Sequence, residues 1–481
     1  MMMIETHNRY RGRGSAARAS MGALLALALG ACSLAPVREQ RTEAPALPAG
    51  FSETGDAVQA SRWWESFGDP QLDALIERAL QDNFSLRAVW DRLDQAAAVA
   101  RKAGADLYPS LDATASAGRE RQQRNGSSST SNSFTAGLSA AYEVDLWGRV
   151  RSSAEAAELD RQATGAQLQT AALSLSAQVA DTWYQLAEQA AQEALLQQQL
   201  DTNLKVLELI TVRFRHGESG AIDVLQQRQL AESVRGDLAL AQSRLGVLQH
   251  QLAVLLGGTV DSVPMPALSQ ARLVEPPALP ATGVPLQQLQ QRPDVREQWL
   301  SLLAADQRVA VAVADRYPRL SLTAGITGSS DRARDLFDDW LANLSANLLL
   351  PVIDGGQRRA EVERTRAAAA EALNNYREAL VQGFSEVEDA LLQERKQRAY
   401  LDSLDVQLQL SRQAIERLRD SYRNGAVDYL RVLDALLTDQ SLARTRLLAR
   451  RQLLEYRIAL HQALAGGWAL QRPSAPQQED S

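Results

Sequence analysis

The sequence predicts a mostly helical chain with a small β part, folded as an internal duplication. Three observations carry this. Two proline-free runs of nearly seventy residues place apolar side chains three and four apart; four segments alternate apolar with polar residues; and the chain matches itself at an offset of about 209 residues.

The 481 residues would suffice for two or three ordinary domains, but an aromatic content of 5% is low for cores of that size and suits long helical assemblies. A net charge of -7 with no Lys/Arg stripe argues against a nucleic-acid partner. Residues 1–31 carry Arg11, Arg13 and Arg18, an apolar run from Met21 to Leu29 and then small residues, the layout of a signal peptide. The run is too short to span a bilayer and ends in "LGACS", with the chain's only cysteine, Cys32, behind two small residues. This resembles a bacterial lipobox. The resemblance implies that Cys32 is acylated, and Ser33 after it, rather than Asp, fits outer-membrane delivery; the alternative is a lone thiol. The rest of the chain has no unbroken apolar span long enough for a transmembrane helix, so any crossing must use strands.

Residues 32–68, with Pro36, Pro45 and Pro48, read as an extended anchored segment. The first repeat covers 69–258 and the second 285–467, joined by a Pro-rich connector at 259–284, with a tail at 468–481. "YPSLDATASAG" from Tyr108 answers "YPRLSLTAGITG" from Tyr317, Asp145 of "DLWGR" answers Asp354 of "DGGQR", and "LLGG" answers "LAGG". Each copy holds a helix, two strands, a very long helix, a Gly-centred turn and a shorter helix. The strands are expected at about 111–118, 134–146, 320–327 and 340–350, with "RERQQRNGSSSTSNS" and "GSSDRARDLFDD" as exposed loops. Pro109 and Pro318 mark the passage from helix to strand.

The long runs Gly148 to His216 and Gln357 to Asn424 carry Leu168, Ala172, Leu175, Val179, Trp183 and Leu186, and Leu373, Tyr376, Leu380, Phe384, Val387 and Leu391, in coiled-coil-like spacing. Each would be roughly 100 Å long. Shorter helices are expected over Ile222 to Leu256, Pro285 to Arg316, Val427 to Leu464 and Leu72 to Leu107, stacked end to end beside the long ones. The connector then lies partway down the column.

Four strands cannot close a barrel, and open edges in lipid would leave backbone groups unpaired. Copies must pool their strands. Three chains would supply twelve, and since helices run directly out of the strands, a strand barrel would continue into a helical cylinder of the same symmetry. The apolar faces would meet lipid, the Ser, Thr, Asn, Asp and Glu faces a water-filled bore, and Trp147 and Trp340 an interfacial girdle. Two soluble hairpins packed on helices are the alternative, against which the apolar faces are rich in Ala and Leu rather than β-branched residues.

The motifs "WWESFGDPQLDALIERAL", "YEVDLWGR", "RPDVR", "YPRLSLTAG", "PVIDGGQRR" and "FSEVEDALL", in this order and spacing, resemble those of the TolC-like outer-membrane efflux proteins, in the lipid-anchored NodT-like branch. The resemblance implies a homotrimer in the outer membrane, with a twelve-stranded β-barrel and a periplasmic α-barrel. Its implied partners are a periplasmic adaptor and an inner-membrane pump of the RND type, and its implied cargo is drugs, detergents or metal ions. It implies no catalysis and no cofactor.

It also implies a gate at the tip, near 214–223 and 422–434, where Gly217, Gly220 and Gly425 sit. Tyr422 and Asp434 match the family's constriction, Arg431 falls where some relatives carry an Asp, and Phe214, Arg215, Asp223, Arg423 and Asp428 complete the candidates. A ring of Asp would favour cations. Asp223 and Asp428 also fall in the first turn of a helix, where a carboxylate needs no pore to explain it. His7, His216, His250 and His461 are scattered without metal-ligand spacing, and no nucleophile cluster or phosphate loop presents itself. Two rivals stay open: a periplasmic lipoprotein scaffold without a pore, and a type I secretion exit duct, against which the lipobox tilts.

Overall fold

A computed structural model describes residues 44–58, 62–268 and 271–472. The expected signal peptide, Cys32 and the end of the tail lie outside them. The described residues form two compact units, one of residues 95–162 and 299–375, the other of 44–94, 163–298 and from 376 onward.

Helices α1 (Pro70–Asp82) and α2 (Phe84–Ala105) lead into strands β1 (Ser110–Arg124) and β2 (Ser127–Val144). Then come the long α3 (Arg149–Arg215) and α4 (Ala221–Leu255). The second copy repeats the order as α5 (Pro285–Gln291), α6 (Pro293–Ala314), β3 (Arg319–Ser330), β4 (Trp340–Leu349), α7 (Gln357–Arg423) and α8 (Tyr429–Leu464).

In the first unit the strands form one antiparallel sheet in the order β1-β2-β3-β4. The segment expected as a loop after 118 is strand: β1 and β2 pair without a break out to Arg124↔Ser127. The connection is Asn125-Gly126, both at positive φ (47° and 84°), which is the two-residue turn whose twist matches flanking strands. The Ser, Thr, Gln and Arg of this segment are polar because it is solvated, not because it lacks structure.

Where strand gives way to helix, both copies use the same device. Asp145 accepts from the backbone N–H of Val150 (3.1 Å) and Arg151 (2.9 Å), and Asp354 from those of Gly356 (3.0 Å) and Arg358 (3.3 Å), capping the long helices. Arg149 holds Glu143 with two bonds of 2.9 and 2.6 Å, and Arg358 donates to the Asp315 carbonyl at 2.9 Å. Trp147 donates to the Pro318 carbonyl (2.8 Å) and stacks on Tyr317, so it pins this junction.

In the second unit the two short-helix runs expected as continuous are each broken once. Asn83 (ψ 122°) separates α1 from α2, and Arg292 (ψ 134°) separates α5 from α6, at equivalent positions of the repeat. Pro293 explains the second break by driving the residue before it out of helical conformation. Asn83 achieves the first by capping: its Oδ1 accepts from the Leu86 N–H (3.0 Å). Its amide donates to the Leu255 carbonyl (3.0 Å), as the Arg292 guanidinium does to that of Ala463 (3.1 Å), so each break ties itself to the end of the following short helix of its own copy. The extended segment near 55 runs beside the connector, with a parallel bridge Ala57↔Pro280, and a Cβ at Gly55 would lie 1.8 Å from the Leu279 carbonyl oxygen.

The core here is built on Trp63, Trp64, Phe67, Trp183 and Tyr184. Trp63 donates to Ser176 (3.1 Å) and Trp183 to Asp69 (2.8 Å). His461 is stacked on Trp63 with neither ring nitrogen hydrogen-bonded, and burial, aided by Arg457 and opposed by Glu394, drops its pKa from 6.5 to about 4. Between these values the unfolded chain binds the extra proton, so stability falls as pH drops from 6.5 toward 4, by about 3 kcal/mol in full, and is untouched above. His461→Phe is expected to flatten that part of the melting-temperature curve; parallel curves for the two proteins would refute it.

Candidate functional site

The sheet sorts its side chains by pairing. One face carries the rows Leu111–Ala140–Ala324–Leu344, Ala113–Leu138–Ile326–Ala342 and Val144–Leu320–Leu348; the other carries Asp112–Ser139–Gly325–Asn343 and Glu143–Ser321–Asn347. Because side chains alternate with period two, this in-register pairing concentrates the apolar residues of four strands on a single surface. That surface is uncovered: Leu344 is 81% and Trp340 66% exposed. On the polar face the Thr323 and Ser345 hydroxyls bond at 2.6 Å. Leu341 and Leu349 are exceptions, paired with Thr327 and Arg319 on the polar side. Among the described residues β1 and β4 each have one unpaired edge.

In the second unit, two turns close the long helices. Gly217 (φ 81°) and Gly425 (φ 71°) take the left-handed conformation, and Glu218 N–H to Arg213 C=O (2.9 Å) and Ala426 N–H to Ser421 C=O (2.9 Å) are the six-to-one bonds of matching helix caps. Asp223 accepts from Ser219 (2.8 Å) and the Gly220 N–H (3.0 Å), and Asp428 from the Arg431 N–H (3.2 Å). Both carboxylates therefore serve as helix caps in the single chain.

Tyr422 is half-buried under the Arg213 guanidinium, 4.6 Å from its ring centroid, a cation–π contact, and tilts against Tyr429 at 5.7 Å. Burial, with Tyr422 and Asp223 adding, pushes the Tyr429 phenol up, so it keeps its proton and donates to Gln227 (2.5 Å). Gln227 in turn donates to the Asn203 carbonyl (2.8 Å). Of the sequence candidates, the structure brings Tyr422 and Asp223 toward Tyr429; Phe214, Arg215, Arg423, Arg431 and Asp434 are exposed. Sequence reasoning missed Arg213, Gln227 and Asn203. Arg213 adjoins two residues that were singled out, while the polar pair lay hidden in ordinary helical positions.

The profile described as outer membrane efflux protein matches residues 75–258 and 284–466. The chain belongs to that family. This efflux protein is 34% identical over 467 residues to the pyoverdine export outer membrane protein OpmQ of Pseudomonas aeruginosa, covering 93% of this chain and 96% of that one. It is 31% identical over 467 residues to the cation efflux system protein CusC of Escherichia coli, covering 92% and 97%. The solved outer-membrane channel OprN superposes with a TM-score of 0.81 at 27% identity, covering 89% of this chain and 99% of that one. The protein is an outer-membrane efflux channel component. No described helix is long and apolar enough to cross a membrane, and the exposed apolar sheet face is the surface suited to lipid.

Proposed function

We propose that three copies pool their sheets into a twelve-stranded outer-membrane barrel continued by a periplasmic helical barrel. This homotrimer is the exit duct of a tripartite system with a periplasmic adaptor and an inner-membrane pump of the RND type. The observation that carries it is the sheet with one apolar face, one polar face and two open edges, which in hydrocarbon must be paired by neighbours. Cys32 bears the acyl anchor after removal of 1–31, and residues 32–68 lead from it. The duct transports without chemistry on its cargo. Small toxic compounds such as drugs or metal ions are the substrates, and the name of the cation efflux system protein CusC supports the metal ions.

The division into repeats at 69–258 and 285–467, around an equatorial connector at 259–284, is supported by the two stretches matched by the family profile and by the repeated capping at Asp145 and Asp354. Tyr422, Arg423, Asp428, Arg431, Asp434, Phe214, Arg215 and Asp223 surround the tip constriction, with Arg213 clamping Tyr422. Purified protein in planar bilayers is expected to conduct, and Tyr422→Ala or Arg213→Ala to raise the conductance of the resting channel several-fold. A pore-less scaffold predicts no conductance in any variant.

A further inference from the structure

The outward face of β1 does not end with its apolar residues. Leu111, Ala113, Ala115 and Ala117 share a face, and the same alternation carries Arg119 and Arg121 onto it, opposite Asn132 and Thr130, with Glu120 on the other side. Both arginines are exposed, and among the described residues neither makes an ion pair or a side-chain hydrogen bond.

Height fixes what they meet. On β2 the apolar face runs from Phe134 to Val144, ten residues apart. That is about 34 Å along a strand, or about 26 Å of vertical rise at a tilt of ~40°, which fills the apolar band of a membrane barrel. Its upper rim is the row Ala117–Phe134, one row beyond Trp340. Arg119 and Arg121 stand immediately past this rim, on the side away from the long helices.

We infer that Arg119 and Arg121 bind the phosphate groups of anionic lipid in the outer leaflet, which the geometry places at headgroup level on the lipid side. This rests on the barrel reading above. A guanidinium matches phosphate with paired charge-assisted bonds, and two of them on one face, about 7 Å apart along the strand, form a small cationic comb next to an apolar surface. Charge is complementary, and no protein carboxylate competes on that face of β1.

The test titrates purified full-length protein with labelled lipopolysaccharide and with its dephosphorylated form. Intact lipopolysaccharide is expected to bind about tenfold more weakly to the Arg119→Ala/Arg121→Ala variant. Arg124→Ala, on the opposite face, should leave binding unchanged, and Arg119→Lys/Arg121→Lys should keep part of it. Excess sodium phosphate should not displace the lipid. Equal affinity of wild type and double variant, equal affinity for the dephosphorylated form, or displacement by free phosphate would overturn the assignment. Single-alanine variants serve if the double one does not assemble. Conductance of the same samples separates the levels: unchanged lipid affinity with normal conductance sinks this inference alone, and absent conductance sinks the barrel beneath it.

Discussion

Arg457→Met is expected to destabilise the fold by about 3–5 kcal/mol, because it strands a buried carboxylate. Arg457 is 0% and Glu394 5% exposed at the side chain, and they are joined by bonds of 2.7 and 2.5 Å; Arg457 also donates to the Pro277 carbonyl. The pair thus fastens α7, α8 and the Pro-rich connector at one point. Arg398, half exposed, shares Glu394 at 2.9 Å and retains a fraction of the compensation, which places the loss toward the lower end. Exchanging both residues, Arg457→Met with Glu394→Leu, should recover most of the loss, since a packed apolar pair needs no desolvated charge. A double-mutant cycle by chemical denaturation measures this. A double variant as unstable as the single one would mean that the Pro277 contact, not the ion pair, matters.

The same pair has an acid signature. Burial is the largest influence on the Glu394 carboxyl and pushes it up, but the hydrogen bonds and charges of Arg457 and Arg398 together outweigh it and hold the pKa below its ordinary value. The stability it contributes is complete above the unfolded value, about 4.3, and is lost as pH falls through the lower folded one. That window lies below the one set by His461, whose loss begins at 6.5 and ends near 4. In the Arg457→Met variant burial gains the upper hand at Glu394, so below about 4.3 the variant should no longer lose this stability as the wild type does, and because Arg457 also helps to lower His461, the loss between 6.5 and 4 should be smaller as well.

These contacts show where a sequence is transparent and where it is not. The 67-residue helices α3 and α7 were legible because a proline-free run with three-four spacing has few alternatives. The strands were legible only where they are half apolar. Beyond 118 the hairpin turns wholly polar, and the Asn125-Gly126 turn was the surviving signal. The break at Arg292 was visible in Pro293, whereas the one at Asn83 shows only as a capping residue inside a helical pattern. At the turns that close the long helices, Tyr422 stood out by resemblance, but its cation–π partner is Arg213 and the nearby Tyr429 reaches Gln227, 202 residues away along the chain. Contacts between copies of a repeat leave no local pattern.

The face assignment of the sheet can be tested at neighbouring residues of one strand. Leu344 lies in the row with Ala140, between the rims at Phe134 and Val144, on the apolar side; Ser345 follows it on the polar side, bonded to Thr323. If Leu344 faces hydrocarbon near the midplane, as proposed, Leu344→Arg costs about 2–4 kcal/mol in each copy, and the proposed trimer would bear that cost three times. Ser345→Arg puts the same charge into water and should fold normally while lowering cation selectivity. The expected result is a sharp drop in heat-resistant oligomer recovered from membranes for Leu344→Arg and none for Ser345→Arg. Equal yields would mean that neither face meets lipid, since a one-residue shift along a strand changes nothing else but the side on which the charge emerges.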